Sequence, residues 1–250
     1  MSEASCRTEL TQNVLAQFHD RYRRGEWRDT IFRDLILQDI AGRQRPTILD
    51  IGCGRGFDGD VAVQSSLAAV ALRFIGIEPD QSIALPDHFT SAYRHRFEDT
   101  EIDAKSIDIA YAIMVLEHLR EPRTFFEKLH EVLVDGGVFW ALTVDDRHWF
   151  CKCSRGFEVL RLKEAYLRLI LGRRGEQRYE NYPVFYRCNS PARIAHFSER
   201  FSQIQCFNFS RIGQCDFYLP KALRPAAAAL DRWAIRHNAP GTLLAVRLQK

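Results

Sequence analysis

Apolar positions alternate between two rhythms along most of this chain. Ile31, Leu35, Ile36 and Ile40 recur at helical spacing, which predicts a helix from about Trp27 to Ile40 that lays one face on a core. After Pro46 the period shortens, and Thr47-Ile48-Leu49-Asp50-Ile51 reads as a buried strand. A proline-free stretch from Asp58 to Leu72 predicts a helix. Arg73–Ile77, Ala92–Phe97, Ser106–Met114 and Val138–Val144 then read as strands two to five. Pro122 opens a helix whose stripe is Phe125, Phe126, Leu129, Val132 and Leu133, ended by Asp135-Gly136-Gly137. Ile204–Phe209 and Leu243–Leu248 read as strands six and seven, flanking an alanine-rich helix from Pro225 to about Arg236. Repeated strand–helix alternation implies an α/β fold: a doubly wound, mostly parallel sheet with right-handed crossovers and helices on both faces.

The chemistry concentrates where the first strand ends, at Asp50-Ile51-Gly52-Cys53-Gly54-Arg55-Gly56-Phe57-Asp58. Glycines spaced two apart allow positive φ and let a ligand lie against main-chain N–H groups at a helix N-terminus. Two frames compete for the ligand. A dinucleotide pattern fits Gly54, Gly56 and Gly59, but it leaves Asp50 inside the strand without a partner. The frame Asp50-x-Gly52-x-Gly54-x-Gly56 instead puts a carboxylate at the strand's carboxyl end. An acid there suits a cationic ligand, such as the amino group and sulfonium of S-adenosylmethionine (SAM), better than a pyrophosphate.

This acid-first loop resembles the first motif of the class I SAM-dependent methyltransferases. Val115-Leu116-Glu117-His118-Leu119 after strand four is similar to their small-molecule, type 11-like branch. The resemblance covers nearly the whole chain, with its specific motifs between residues 47 and 144. It implies a Rossmann-like seven-stranded sheet with an antiparallel last strand, SAM as cofactor, and methyl transfer as the activity. It implies a cofactor site of Asp50, Gly52, Cys53, Gly54 and Gly56, with Glu78 and Pro79 ending strand two. Glu98 or Asp99 would approach adenine, and Met114 and Val115 would lie at the end of strand four. An acid ending strand two is also where Rossmann-like folds bind ribose hydroxyls, so Glu78 supports a nucleotide without choosing its class. The Asn/Asp-Pro-Pro-Tyr/Phe motif is missing, which counts against nucleobase and glutamine N-methylation.

On this basis residues 1–250 form a single methyltransferase domain. Residues 1–45 are a helical cap, 46–144 the SAM-binding core, 145–190 a substrate-lid insertion, and 191–250 the C-terminal part of the sheet. The insertion contains a predicted helix from Phe157 to Leu171, and in such sheets a segment after strand five overhangs the reaction site. Its aromatic residues could equally form a small core of their own. The base for a hydroxyl nucleophile would come from His148, Asp145 or His118. His148 with Asp145 is the preferred pair because it follows strand five. Glu117 and His118 read as helix packing rather than a metal site, and no metal is expected.

Composition narrows the partners. The chain has 250 residues, 46% of them hydrophobic, and a formal net charge of +3. That is enough for one large core and too mild to demand nucleic acid. Cys151–Ser190 nevertheless carries nine Lys/Arg against four Asp/Glu, a local +5 that leaves −2 for the rest. An anionic headgroup, glycan or phosphate would suit it. The expected acceptor is therefore a small molecule, glycan or lipid-linked compound, most simply O-methylated, with nucleic acid disfavoured. Seven cysteines without framework spacing, no signal-peptide pattern and no long apolar run point to a reduced cytoplasmic setting. A non-catalytic SAM-binding module and an NAD(P)-dependent oxidoreductase are the alternatives.

Overall fold

Hydrogen bonding at strand ends turns the predicted segments into one sheet. In the computed structural model, which describes residues 14–159, 166 and 182–250, seven strands are ordered β3-β2-β1-β4-β5-β7-β6. They are β1 (Thr47–Ile51), β2 (Arg73–Ile77), β3 (Ser91–Tyr93), β4 (Ile107–Ile113), β5 (Leu133–Val144), β6 (Gln203–Phe209) and β7 (Leu243–Gln249). β1 pairs in parallel with β2 and β4, β2 with β3, and β4 with β5. β7 runs the other way. Gly136 N–H bonds to Lys250 O at one end of β5, and Asp145 N–H to Thr242 O at the other. All five residues of β1 are buried, as expected of a strand covered on both faces.

Helices follow the same logic. Residues 14–23 are helical (α1). They are followed by α2 (Arg28–Ile40), α3 (Val61–Ala68), α4 (Pro122–Val132), α5 (Trp149–Val159), α6 (Pro191–Phe197) and α7 (Arg224–Arg236). α2 buries the predicted Ile31, Leu35, Ile36 and Ile40. α4 starts at its proline and buries Phe125, Phe126, Leu129 and Val132. These phenylalanines join Leu49, Ile75, Ala110, Phe139, Leu244 and Val246 in the main core.

The chain divides into two compact units, described separately. One comprises Trp27–Thr143, Val184–Cys206 and Leu244–Lys250; the other comprises the described residues of Met1–Glu26, Val144–Pro183 and Phe207–Leu243. Within the first unit, Arg247 forks onto Asp39 at 2.7 Å through both Nε and Nη2, and Trp140 Nε1–H donates to the same carboxylate. Within the second, Tyr22 packs edge-on against Phe209 and His19 Nε2 lies 3.2 Å from Ser210 O. Among the described residues no helix is long and apolar enough to cross a membrane.

Several boundaries differ from expectation. α3 starts at Val61 rather than Asp58, because residues 57–60 close a turn and Asp60 caps the helix by accepting from Val63 N–H. β3 ends at Tyr93, not Phe97, and a 3₁₀ turn occupies Phe97–Asp99. β5 begins at Leu133 and bulges before Val138, so Asp135-Gly136-Gly137 sits within the strand rather than ending the helix. α5 begins at Trp149, where a loop was expected, and α6 has no counterpart among the predicted helices. The predicted helix beyond Val159, with Arg161, Lys163, Arg168, Arg173, Arg174 and Arg178, lies outside the described residues.

Candidate active site

The site is built where β1, β2 and β4 end together. Gly52 and Cys53 both donate their N–H groups to Ile77 O, at 2.8 and 3.0 Å, which draws the loop across the end of β2. Gly52 has φ +76°, and a Cβ there would sit 2.5 Å from Val115 Cγ2. Gly56, at φ +114°, would bring a Cβ within 2.7 Å of the Val61 nitrogen. Neither position can take a side chain in this loop. Met114 follows β4 with φ +53°, a left-handed conformation that costs about 1–2 kcal/mol for a non-glycine residue. Its N–H bonds to Leu142 O, so the strain is held by the neighbouring strand.

Glu78 closes the other side. Its carboxylate accepts from Gly54 N–H at 3.0 Å through Oε2 and from Asp80 N–H at 2.9 Å through Oε1. Burial pushes its pKa upward, and the two backbone bonds pull it back. Each carboxylate oxygen offers two lone pairs, so both keep acceptor capacity for hydroxyl groups. Pro79, next along, is exposed, and Cys53 is buried beneath the loop, with burial pushing its thiol pKa well up.

Asp50 adopts an arrangement the sequence did not reveal. It is 3% exposed, and its Oδ2 accepts from Tyr111 OH at 2.5 Å and Gln64 Nε2 at 2.7 Å. Gln64 Nε2 also donates to Cys53 O at 3.0 Å, and its Oε1 lies 2.9 Å from His88 Nε2. Burial pushes the Asp50 pKa up to about 7, while the bonds from Tyr111 and Gln64 lower it. Gln64 is the residue that sequence reasoning missed. Its signal was a lone amide beside Val63 and Leu67 on the buried face of α3.

Further out, Arg28 at the start of α2 forks onto Asp58, at 2.5 Å through Nε and 2.7 Å through Nη2. This pair anchors α2 to the turn after the glycine loop. At the ends of β4 and β5, Glu117 Oε2 accepts from Thr143 Oγ1, which in turn accepts from Asn189 Nδ2, each at 2.7 Å. His118 is half-buried in the 3₁₀ turn Leu116–His118, which also carries Glu117.

Glu98 and Asp99 are not brought to this cradle. They line a cavity of about 1030 Å³ with Arg73 and Ser106, at the amino ends of β2 and β4. The reason is the early end of β3: residues 94–99 lead the chain back along the sheet. The residue that follows β3 is Arg94, whose guanidinium donates to Asp80 O and Ile83 O at 3.0 and 2.8 Å.

Asp145 and His148 belong to the second unit. Asp145 is fully buried, and its carboxylate accepts from the Arg147 N–H, from the Arg147 guanidinium and from Asn208 Nδ2. Its bond to His148 is through the backbone, from His148 N–H to Asp145 O at 3.1 Å. His148 is 2% exposed, and its Nδ1 accepts from Phe150 N–H at 3.2 Å. Its Nε2 lies 3.3 Å from Gln214 Nε2. Burial pushes the His148 pKa down to about 4, not the 6.5 of a free imidazole on which its choice as base relied.

The parallel sheet, the acid-first glycine loop and the acid ending β2 define a class I SAM-dependent methyltransferase. The chain belongs to the methyltransferase-domain family, which it matches over residues 19–227. Two curated relatives are both tRNA U34 carboxymethyltransferases. The Colwellia psychrerythraea protein is 29% identical over 133 residues, covering 48% of this chain and 39% of that protein. The Marinobacter nauticus protein is 32% identical over 142 residues, covering 51% and 41%. The match thus spans about two-fifths of the curated relatives' length. Among solved structures, a SAM-dependent methyltransferase from Archaeoglobus fulgidus superposes with a TM-score of 0.56 at 11% identity, covering 92% of this chain and 97% of that one. Geranyl diphosphate C-methyltransferase from Streptomyces coelicolor, in complex with Mg²⁺, geranyl diphosphate and S-adenosyl-L-homocysteine, gives 0.56 at 13% identity, covering 87% and 77%. At these identities the likeness is one of fold.

Proposed function

We propose that the β1–β2–β4 cradle holds SAM and presents its methyl group to an anionic, hydroxyl-bearing acceptor. The observation that carries the cofactor assignment is the contact between the Gly54 N–H and the Glu78 carboxylate, beside a Gly52 that tolerates no Cβ. Glu78 would accept from the ribose hydroxyls. Gly52, Gly54 and Gly56 would leave room for the bulk of the ligand, and Met114 and Val115 would border it. Asp50 would act on a cationic ligand from beneath the loop, through Gln64 and the Cys53 carbonyl that Gln64 holds. When bound, SAM supplies an electrophilic methyl on a good leaving group, so the chain's own task is to orient the acceptor and exclude water.

His148 is read as a residue that shapes the loop after β5, with Asp145 clamping that loop through Arg147 and Asn208. Its two ring nitrogens face protein partners, which suits packing better than proton transfer. On this reading proximity carries the reaction, and His148→Gln lowers kcat less than about tenfold, short of the ~10²-fold or more lost with a general base. A larger loss, with an acidic limb in the pH–rate profile that the variant lacks, would restore the base assignment.

The acceptor assignment rests on the +5 local charge of Cys151–Ser190. It favours a phosphate- or carboxylate-bearing small molecule, glycan or lipid-linked compound. The names of the curated relatives favour a second source of the same chemistry, a tRNA nucleoside. Radiolabelled SAM offered with total tRNA, a lipid extract and an aqueous extract separates the two. Nuclease-sensitive label would establish tRNA, and nuclease-resistant label in the organic or small-molecule fraction would establish the first reading. Titration calorimetry tests the cofactor independently. Glu78→Ala should weaken SAM binding by ~1–3 kcal/mol, and a chain that binds NAD but not SAM would overturn the assignment.

A further inference from the structure

The helix α7 is built inside out. Its buried positions are Ala227, Asp231 and Ala234, whereas Leu223 at its N-cap, Leu230 and Trp233 are 53%, 39% and 55% exposed. A helix that packs on its own domain turns its large apolar side chains inward. Here Leu230 and Trp233 point to solvent and Ile235 is half-buried, while the fully buried positions are two methyl groups and a carboxylate bonded to Gly213 N–H at 2.8 Å. Leu223, Ala226, Leu230 and Trp233 follow one another three or four residues apart, so they form one continuous stripe along about 15 Å of helix.

The exposed charges of the helix have one sign, and Arg236, three residues after Trp233, borders the stripe. Lys221, Arg232 and Arg236 are exposed, and Arg224 is half-buried. The helix's single acid, Asp231, is 2% exposed and faces inward. An exposed apolar stripe with a tryptophan on it, bordered on its solvent side by Arg236 and sharing the helix surface with exposed cations alone, has the composition of an interfacial helix that lies flat on a charged lipid surface. Arginine stems cover apolar surface while their heads reach phosphate, and indole rings favour the headgroup level.

We propose that the outward face of α7 docks on an anionic phospholipid surface. A second copy of this chain fits poorly, because a two-fold contact would set Arg232 and Arg236 against their own equivalents. Nucleic acid would use the cations, yet it would leave Leu223 and Leu230 with no apolar partner. The proposal does not depend on which acceptor is methylated, since binding is read without SAM or acceptor.

Co-sedimentation of the full chain with vesicles tests it. Vesicles of phosphatidylcholine and phosphatidylglycerol in equal parts should retain the protein at least about tenfold better than phosphatidylcholine alone, with retention falling as salt rises. The double variant Leu230→Ser/Trp233→Ser and the charge reversal Arg232→Glu/Arg236→Glu should each lower retention by about tenfold or more, with SAM affinity and Tm unchanged. Equal retention by neutral vesicles, no retention by either, or retention undiminished in both variants would overturn the proposal. So would a dimer, or a tRNA complex, that the serine variant abolishes while vesicle binding stays at background.

Discussion

The helices α3 and α7 each bury one polar side chain, yet they put it to opposite uses. In α3 the buried face is Val63, Gln64 and Leu67, and the amide of Gln64 reaches the carboxylate and carbonyl that shape the glycine loop. In α7 the buried face is Ala227, Asp231 and Ala234, and Asp231 bonds to the N–H of Gly213 and interacts with the Trp149 side chain, outside the glycine loop. The first helix spends its inward face on a site. The second leaves its larger apolar groups outside. A buried polar residue thus marks function only when its partner is itself part of a functional loop.

The strongest way to break this contrast is at the loop that α3 supports. Gly52→Val should abolish measurable SAM binding, at least about a 10²-fold loss, because the new side chain meets Val115 and the φ of +76° excludes a β-branched residue. Titration calorimetry would show it; near-normal affinity would mean the loop is not the cofactor site. A milder cut is Gln64→Ala, which leaves Asp50 Oδ2 with Tyr111 alone and Cys53 O without its side-chain donor. It should cost about 1–3 kcal/mol of stability in urea unfolding and weaken SAM binding as well. Asp231→Ala should cost about 1–2 kcal/mol for the stranded Gly213 N–H and leave SAM affinity unchanged. Loss of SAM affinity in Asp231→Ala would erase the distinction between the two helices.

Titration sharpens the comparison because Asp50 and His148, one in each unit, are buried groups whose pKa values shift in opposite directions. Asp50 has its pKa raised to about 7 by burial, so its native form holds a proton that the unfolded chain releases near pH 4. Its contribution is complete below pH 4 and is lost as pH rises toward 7. His148 has its pKa lowered to about 4, so the unfolded chain binds the extra proton between pH 4 and 6.5. Its contribution is complete above pH 6.5 and is lost as pH falls toward 4. The two trends oppose each other in the wild type. Asp50→Asn should shift the balance toward the histidine trend, so that stability at pH 7 relative to pH 4.5 rises compared with the wild type. His148→Gln should expose the falling trend instead. Chemical denaturation at pH 4.5 and 7 measures both. The smallest expected effect is on the surface of α7, where Leu230→Ser should change stability by less than about 0.5 kcal/mol.

Much of this was legible without coordinates. β1, β2, β4 and β7 kept their predicted cores because a buried parallel or central strand is a short apolar run, whatever surrounds it. The Asp50–Gly56 loop was readable because glycine at positive φ is a local requirement of the backbone. The acid at Glu78 was readable because it ends a strand. What the sequence alone could not decide were relations between distant residues. Asp50 lies 14 residues from Gln64 and 61 from Tyr111, and only the packing of α3 and β4 on β1 joins them. Glu98 and Asp99 followed from a strand length, and β3 proved too short to carry them to the cradle. His148 looked like a base because a free imidazole titrates near neutrality. Its pKa is set by burial, and burial is a property of the folded chain. The face of α7 was hidden for the same reason: helical spacing shows which residues share a side, and only the tertiary structure shows which side turns inward.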